Sequence, residues 1–215
     1  MRVMGIIVVS LLLAGCIPKG ARPREEAPRA SQVALGGGKP TQQCLAELRK
    51  NGVEFRPLPD RVFTGGCSAV GAVQLLDIGT PVTNLGAITC PVARQFARWV
   101  REAVQPAARA SLGKRVVRIE SFGTYACRSV NSRPGAKLSE HGRANAVDIG
   151  VFVLEGGRRI SVKDAWNGGN EDERRFLRAV HQAGCRRFGV TLGPDSDAFH
   201  RDHLHFDMGR GPYCR

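Results

Sequence analysis

Residues 139–154 read SEHGRANAVDIGVFVL. A polar, glycine-bearing turn runs straight into the apolar segment 146–154. Glu155-Gly156-Gly157 then offers a tight turn before residues 158–162 return, so the stretch predicts a β-hairpin. Asp148 is the anomaly, because a carboxylate inside an apolar strand is costly to bury without a partner. Working outward, residues 203–208 predict a second strand, as do 115–122 and 70–76. Thr41 can cap a helix that runs to Lys50, with Leu45 and Leu48 inward and Gly52 behind it. Pro91 opens a longer helix carrying Val92, Phe96, Trp99, Val100 and Val104 at three-to-four spacing, which Pro106 should stop or kink. Asn170–Ala183 reads as a helix with Gly184 behind it. Helices and strands mix without regular βαβ alternation. The expected fold is therefore α+β, a single domain with a small, mainly antiparallel sheet and flanking helices.

The second segment that concentrates ligand-type groups is FHRDHLHF, residues 199–206. Four of the five histidines lie in these two segments. Side chains two apart share one face of a strand, so His203 and His205 point together while Leu204 faces the core. Two imidazoles and a carboxylate form a set that suits zinc, with a fourth position left for water. Such an ion acidifies its water to a pKa of about 7 and polarises a carbonyl as a Lewis acid. Taken alone, His-x-His is a weak signal, and Asp148 alone could be capped or salt-bridged.

The start of the chain reads as a leader. Arg2 precedes an apolar run, Val3 to Leu13, too short for the roughly twenty residues a spanning helix needs. It ends Leu13-Ala14-Gly15-Cys16, which resembles a bacterial lipobox and implies cleavage before an acylated Cys16. Simple cleavage is the alternative. Residues 1–15 are thus expected to be a lipoprotein signal peptide, 16–40 a Pro/Gly-rich flexible tether, and 41–215 the folded domain. The remaining cysteines, Cys44, Cys67, Cys90, Cys127, Cys185 and Cys214, are even in number in a chain bound for an oxidising space, so three disulfides are expected. The pairing guessed is sequential: 44 with 67, 90 with 127, 185 with 214. A zinc–cysteine site is disfavoured because no two of them stand two to four apart.

The formal net charge is +13. Arg2 supplies one of these charges and the tether a net three, which leaves +9 on the domain. That surface attracts polyanions, and export points to anionic lipid or envelope polymers. No basic stripe interleaves with aromatics, so a nucleic-acid partner is not expected.

The order Ser139, His141, Asp148, then His203 and His205 is similar to the Ser-x-His, Asp, His-x-His signature of LAS-type zinc peptidases, the group of D-alanyl-D-alanine carboxypeptidases and murein endopeptidases. The resemblance implies that His141, Asp148 and His205 bind Zn2+ and that His203 stands beside the metal as a catalytic group. His200, Asp202, His203 and His205 also look like the closing motif of zinc D,D-carboxypeptidases. Tyr125–Ser129 resembles a substrate-binding turn of these enzymes, which would make Arg128 the cation for a substrate carboxylate or oxyanion. Two departures stand out. Ala144 occupies the place of a usual glycine, with Gly142 instead, and Ala126 and Cys127 interrupt the Arg128 turn. Over about residues 43 to 215, including the cysteines and the terminal Gly-Pro-Tyr-Cys, the chain further resembles the bacterial extensin-like protein C-terminal family. It has none of the Ser-Pro repeats of plant extensins.

The expected function is a zinc-dependent peptidase of the cell envelope acting on peptidoglycan stem peptides. The chain would be membrane-held by its lipid, face the periplasm and act as a monomer. The general base is His203 or Asp202, with His203 favoured; Asp202 could instead fix the His203 ring, and His200 orients the base or is a surface residue. Two alternatives stay open: a non-catalytic, zinc-containing peptidoglycan-binding lipoprotein, and a lipoprotein whose zinc is structural. His181 reads as structural, and Trp99 and Trp166 read as core or groove aromatics. Ser139 reads as a hydroxyl bonded to the loop backbone.

Overall fold

The computed structural model describes residues 39–215, so the expected leader, Cys16 and most of the tether lie outside the described residues. The chain forms α1 (Lys39–Lys50), β1 (Glu54–Pro57), β2 (Arg61–Val62), β3 (Ser68–Ala69), β4 (Ala72–Asp77), β5 (Val82–Thr83), β6 (Ile88–Thr89) and α2 (Cys90–Trp99). After a π-helical turn, Val100–Val104, come α3 (Gln105–Leu112), β7 (Val116–Gly123), β8 (Ala146–Leu154), β9 (Arg159–Ser161), α4 (Val162–Ala165), α5 (Glu171–Cys185), β10 (Val190–Leu192), β11 (Leu204–Asp207) and β12 (Tyr213–Cys214). This is a single α+β domain. Its main sheet has seven strands in the order β12-β10-β11-β8-β7-β5, with β9 paired to β8. All pairings are antiparallel except those of the two edge strands, β5 with β7 and β12 with β10.

One face of this sheet is covered by helices. Leu204 and Phe206 of β11 and Val147 and Ile149 of β8 are buried there, with Phe96, Trp99, Phe176, Leu177 and Val180 from α2 and α5. The Trp99 ring stands 4.8 Å from that of Phe206, and its indole N–H donates to the Val180 carbonyl at 2.8 Å. The two helices are thereby tied to each other and to the sheet. Strand alternation sends the side chains between these core residues to the opposite face. The register of β7 against β8 shifts between Glu120 and Ser121, a bulge that returns Phe152 and Leu154 to the helical side beyond it.

Several helix ends match their sequence signals. Asn170 caps α5 in a reciprocal box with Glu173, and Ser161 caps α4. Three expectations need correction. The first helix begins at Lys39, before Thr41. Gly184 lies inside α5, which runs on to Cys185. Of the two outcomes expected at Pro106, a stop or a kink, the stop does not occur: the helical course continues past it, after an irregular π turn over Val100–Val104. The Gln105 N–H instead reaches back five residues to the Val100 carbonyl, and this wider turn makes room for a ring that would clash with an ordinary i−4 carbonyl.

The three disulfides are Cys44–Cys90, Cys67–Cys127 and Cys185–Cys214. Sequential pairing holds only for the last. Cys44 meets Cys90 because α1 packs on the start of α2, and Cys67 meets Cys127 because β3 lies beside the turn that carries His141. Both are tertiary contacts that spacing along the chain does not report. The core cluster and all three bonds lie within residues 39–215.

A Cβ added to Gly184 would lie 2.3 Å from a ring carbon of Phe206. That ring is fully buried and stacked on Phe188 at 4.8 Å, so it cannot swing aside. We predict that Gly184→Ala destabilises the domain by up to about 2 kcal/mol. The helix-propensity gain of about 1 kcal/mol is outweighed by overpacking of about 1–3 kcal/mol. Urea unfolding checks this; a stabilised variant would contradict the packing described.

Candidate metal centre

β11 pairs with β8 so that His205 lies directly opposite Asp148. Both point to the face opposite α2 and α5, together with Asp207. His141 arrives from the other direction, on the one-turn 3₁₀ segment Glu140–Arg143 that precedes β8. The Ser139 hydroxyl opens that turn by accepting the His141 N–H at 3.3 Å. Ala144 closes it in a left-handed conformation, φ 54°, the backbone geometry a glycine there would take without strain. The departure at Ala144 thus leaves the turn intact. Gly142 is needed for space instead, since a Cβ there would stand 2.8 Å from Leu138 and 3.4 Å from the Cys67 sulfur.

The orientation of each ring follows from its outer hydrogen bond. His141 Nδ1–H donates to the Thr124 carbonyl at 3.1 Å, which leaves Nε2 facing inward, 3.0 Å from Asp148 Oδ2. His205 Nε2–H donates to Asp207 Oδ2 at 2.8 Å, and its Nδ1 lies 2.8 Å from Asp148 Oδ1. The two inward nitrogens are 3.2 Å apart. All three residues are buried, and their donor atoms lie within 4.8 Å of one another. Nitrogens on one tetrahedral zinc, at bond lengths of about 2.0–2.1 Å, stand roughly 3.4 Å apart, so the donors fit such an ion in type and spacing.

Asp207 is a functional candidate that the sequence reading passed over. Its signal was available: it stands two residues after His205 on the same strand, where alternation gives it the same face. Its other carboxylate oxygen accepts the Gly209 N–H at 2.7 Å, so the group that fixes His205 is itself fixed. Asp197 was also missed. Its Oδ1 accepts from His200 Nδ1 at 2.8 Å and from the Phe199 N–H at 2.7 Å.

His203 sits just before β11, its Nδ1 donating to Asp202 at 2.8 Å and its Nε2 3.6 Å from Asp148 Oδ1. The Phe122 ring lies 5.7 Å from it and covers Gly150, where a Cβ would meet that ring at 2.4 Å. Asp202 is half-exposed behind His203 and does not line the cleft. His200 is buried, with its ring 5.1 Å from that of His203; burial lowers its pKa against the pull of Asp197. The loop bearing His200 is tied to the body through Asp195, which accepts from the Trp166 indole at 2.8 Å and pairs with Arg178.

The cluster forms the floor of a cleft of about 510 Å³. Its walls are the segment 128–140, with Arg128, Val130 and Lys137, and on the other side Leu192, Phe199 and His200. Arg128 makes no side-chain hydrogen bond among the described residues. A second group with metal-type atoms, His181, Cys185 and Cys214, is structural: the two sulfurs are bonded to each other, and His181 packs edge-on to Trp166 while bonding the Arg215 carbonyl at 3.1 Å.

Fold and cluster together define a single α+β domain with a buried His–Asp–His set at the floor of an open cleft. Residues 42–215 match the extensin-like protein C-terminus family, and the chain belongs to that family. No curated protein and no solved structure matches it.

Charge in the cluster is tightly paired. Burial works against an ionised Asp148, but its close contacts with the His141 and His205 rings outweigh it and hold its pKa far below the usual 3.8. Burial likewise opposes a charged His205, yet its bonds to Asp148 and Asp207 raise it from 6.5 to about 9. A raised histidine pKa gives stability that is complete below the unfolded value and lost as pH climbs through the folded one; a depressed carboxylate pKa gives stability that is lost on acidification. Thermal unfolding of the metal-free protein should therefore show its highest midpoint between about pH 4 and 6.5, falling toward pH 9. His205→Gln should flatten that decline. An unchanged slope in the variant would contradict the pairing.

Proposed function

We propose that the chain is a zinc-dependent peptidase of the cell envelope that cleaves peptidoglycan stem peptides, similar in its site to LAS-type enzymes. The observation that carries this reading is that His141 Nε2, Asp148 and His205 Nδ1 converge while the other ring nitrogens are held by Thr124 and Asp207. His141, Asp148 and His205 would hold the ion. When bound, zinc supplies Lewis-acid polarisation of a carbonyl and acidification of water. The open cleft above would take an extended peptide.

His203 is the favoured base. With Nδ1–H given to Asp202, its Nε2 carries a lone pair aimed at the Asp148 side of the cluster, where it can take a proton and later return it. Asp202 acts through that ring as a positioning residue, and His200, steadied by Asp197, packs against it. Arg128 would receive a substrate carboxylate or developing oxyanion. Lipidation at Cys16 would anchor the domain to a membrane through residues 16–40, as a monomer facing the periplasm. A non-catalytic peptidoglycan-binding lipoprotein is the second reading, favoured by one observation: nothing among the described residues preorganises the Arg128 side chain.

Purified sacculi incubated with the zinc-loaded domain should release peptide-cleaved fragments, and a chelator should abolish release. His203→Ala should retain zinc but lose about 100-fold or more in rate, the usual contribution of a general base. Intact sacculi after incubation with zinc-loaded wild type, together with saturable muropeptide binding, would favour the binding module.

Asp207→Asn leaves every donor in place but weakens the acceptor that orients His205. Competition against a chromophoric chelator should show zinc affinity lower by roughly 10–100-fold, the usual cost of losing such support. Equal affinity would argue that zinc does not use His205 Nδ1.

A further inference from the structure

The helical layer hides the core from a second recess, on the side away from the cleft. α2 turns Val92, Phe96 and Trp99 inward, and its outward side carries Gln95 and Arg98. With Arg186 and Arg187, just past the end of α5, these two residues line a hollow of about 360 Å³. Among the described residues no apolar side chain lines it.

The charge there is unbalanced. Glu102 is the one carboxylate among the described residues that pairs with this cluster, at 3.4 Å from Arg98, 3.1 Å from Arg101 and 3.5 Å from Arg187. Arg186 pairs with no carboxylate among the described residues. The three guanidiniums that line the hollow face one carboxylate, which Arg101 also shares from outside it, leaving a formal excess of at least two positive charges there. Arg187 is mostly buried and also bonds the Ala183 carbonyl at 3.2 Å, so one wall of the hollow is held in place before any ligand arrives. Planar guanidinium forks suit the oxygens of a phosphate group, two bonds per fork.

We propose that Gln95, Arg98, Arg186 and Arg187 form a binding site for a phosphate group, of the kind an anionic phospholipid surface presents. The hollow opens on the far side of the sheet from His141, Asp148 and His205. A membrane docked there leaves the cleft facing away from the lipid, toward whatever polymer lies beyond it. The site does not depend on the peptidase reading.

The test uses the domain 39–215, which holds the core cluster and all three disulfides of the described residues. Flotation with vesicles of phosphatidylcholine and phosphatidylglycerol, against pure phosphatidylcholine, measures docking. Inorganic phosphate titrated while following the arginine Nε–H signals measures occupancy. Arg98→Gln/Arg186→Gln should lower partitioning onto the anionic vesicles by roughly tenfold or more. Arg61→Gln/Lys163→Gln, which removes equal charge elsewhere, should lower it far less. Saturable phosphate shifts confined to the cluster without vesicle preference would assign the site to a soluble phosphate compound. Equal losses in the two double variants, or neither vesicle preference nor phosphate shifts, would overturn the proposal.

Discussion

The pairing of β11 with β8, in the one register that sets His205 against Asp148, is the constraint on which the site depends. Leu204 and Phe206 flank His205, and Val147 and Ile149 flank Asp148; all four are fully buried on the helical side. A slip of one residue would turn every one of these side chains over, sending imidazole and carboxylate into the core and the apolar groups into the cleft. The hydrophobic effect therefore does the positioning. The apolar residues fix which face the polar ones take, and the polar ones never need to attract each other across a distance to meet.

What remains is to stop the rings from turning. Each of the two imidazoles in the cluster is held by its own outer acceptor: Thr124 beyond the end of β7 for His141, and Asp207 on the same strand for His205. Without a metal, this leaves His205 between two carboxylates and Asp148 between two imidazoles, an arrangement that holds charge in a buried place by pairing it. A divalent cation held here would displace the proton through which His205 Nδ1 bonds Asp148. That substitution links affinity to pH, because the ligand nitrogen must give up a proton that its neighbours hold tightly.

Much of this was readable from residue order. Alternation along 203–205 assigned faces to the histidines, the Glu155-Gly156-Gly157 turn located the hairpin, and a carboxylate within an apolar strand asked for a partner. The family resemblance over the domain agrees with the match found. The parts that were not legible depend on distance in space rather than in sequence. Cysteine pairing is the plain case: proximity along the chain favours 44 with 67, whereas helix packing brings 44 to 90. Pro106 does not stop its helix because the stopping rule assumes an i−4 carbonyl, and a π turn removes that clash. β10 and β12 were missed because they are three and two residues long, too short for a period to show, and β12 is secured by parallel pairing and by the Cys185–Cys214 bond. Asp207 was within reach, had alternation been carried one step past His205.

The central claim is that these three side chains cage one divalent cation. Crystals grown with zinc and measured on both sides of its absorption edge test this most directly. The account predicts one strong anomalous peak, about 2 Å from His141 Nε2, His205 Nδ1 and an Asp148 oxygen. Ordered rings with no peak between them, or zinc bound at another set of residues, would contradict it.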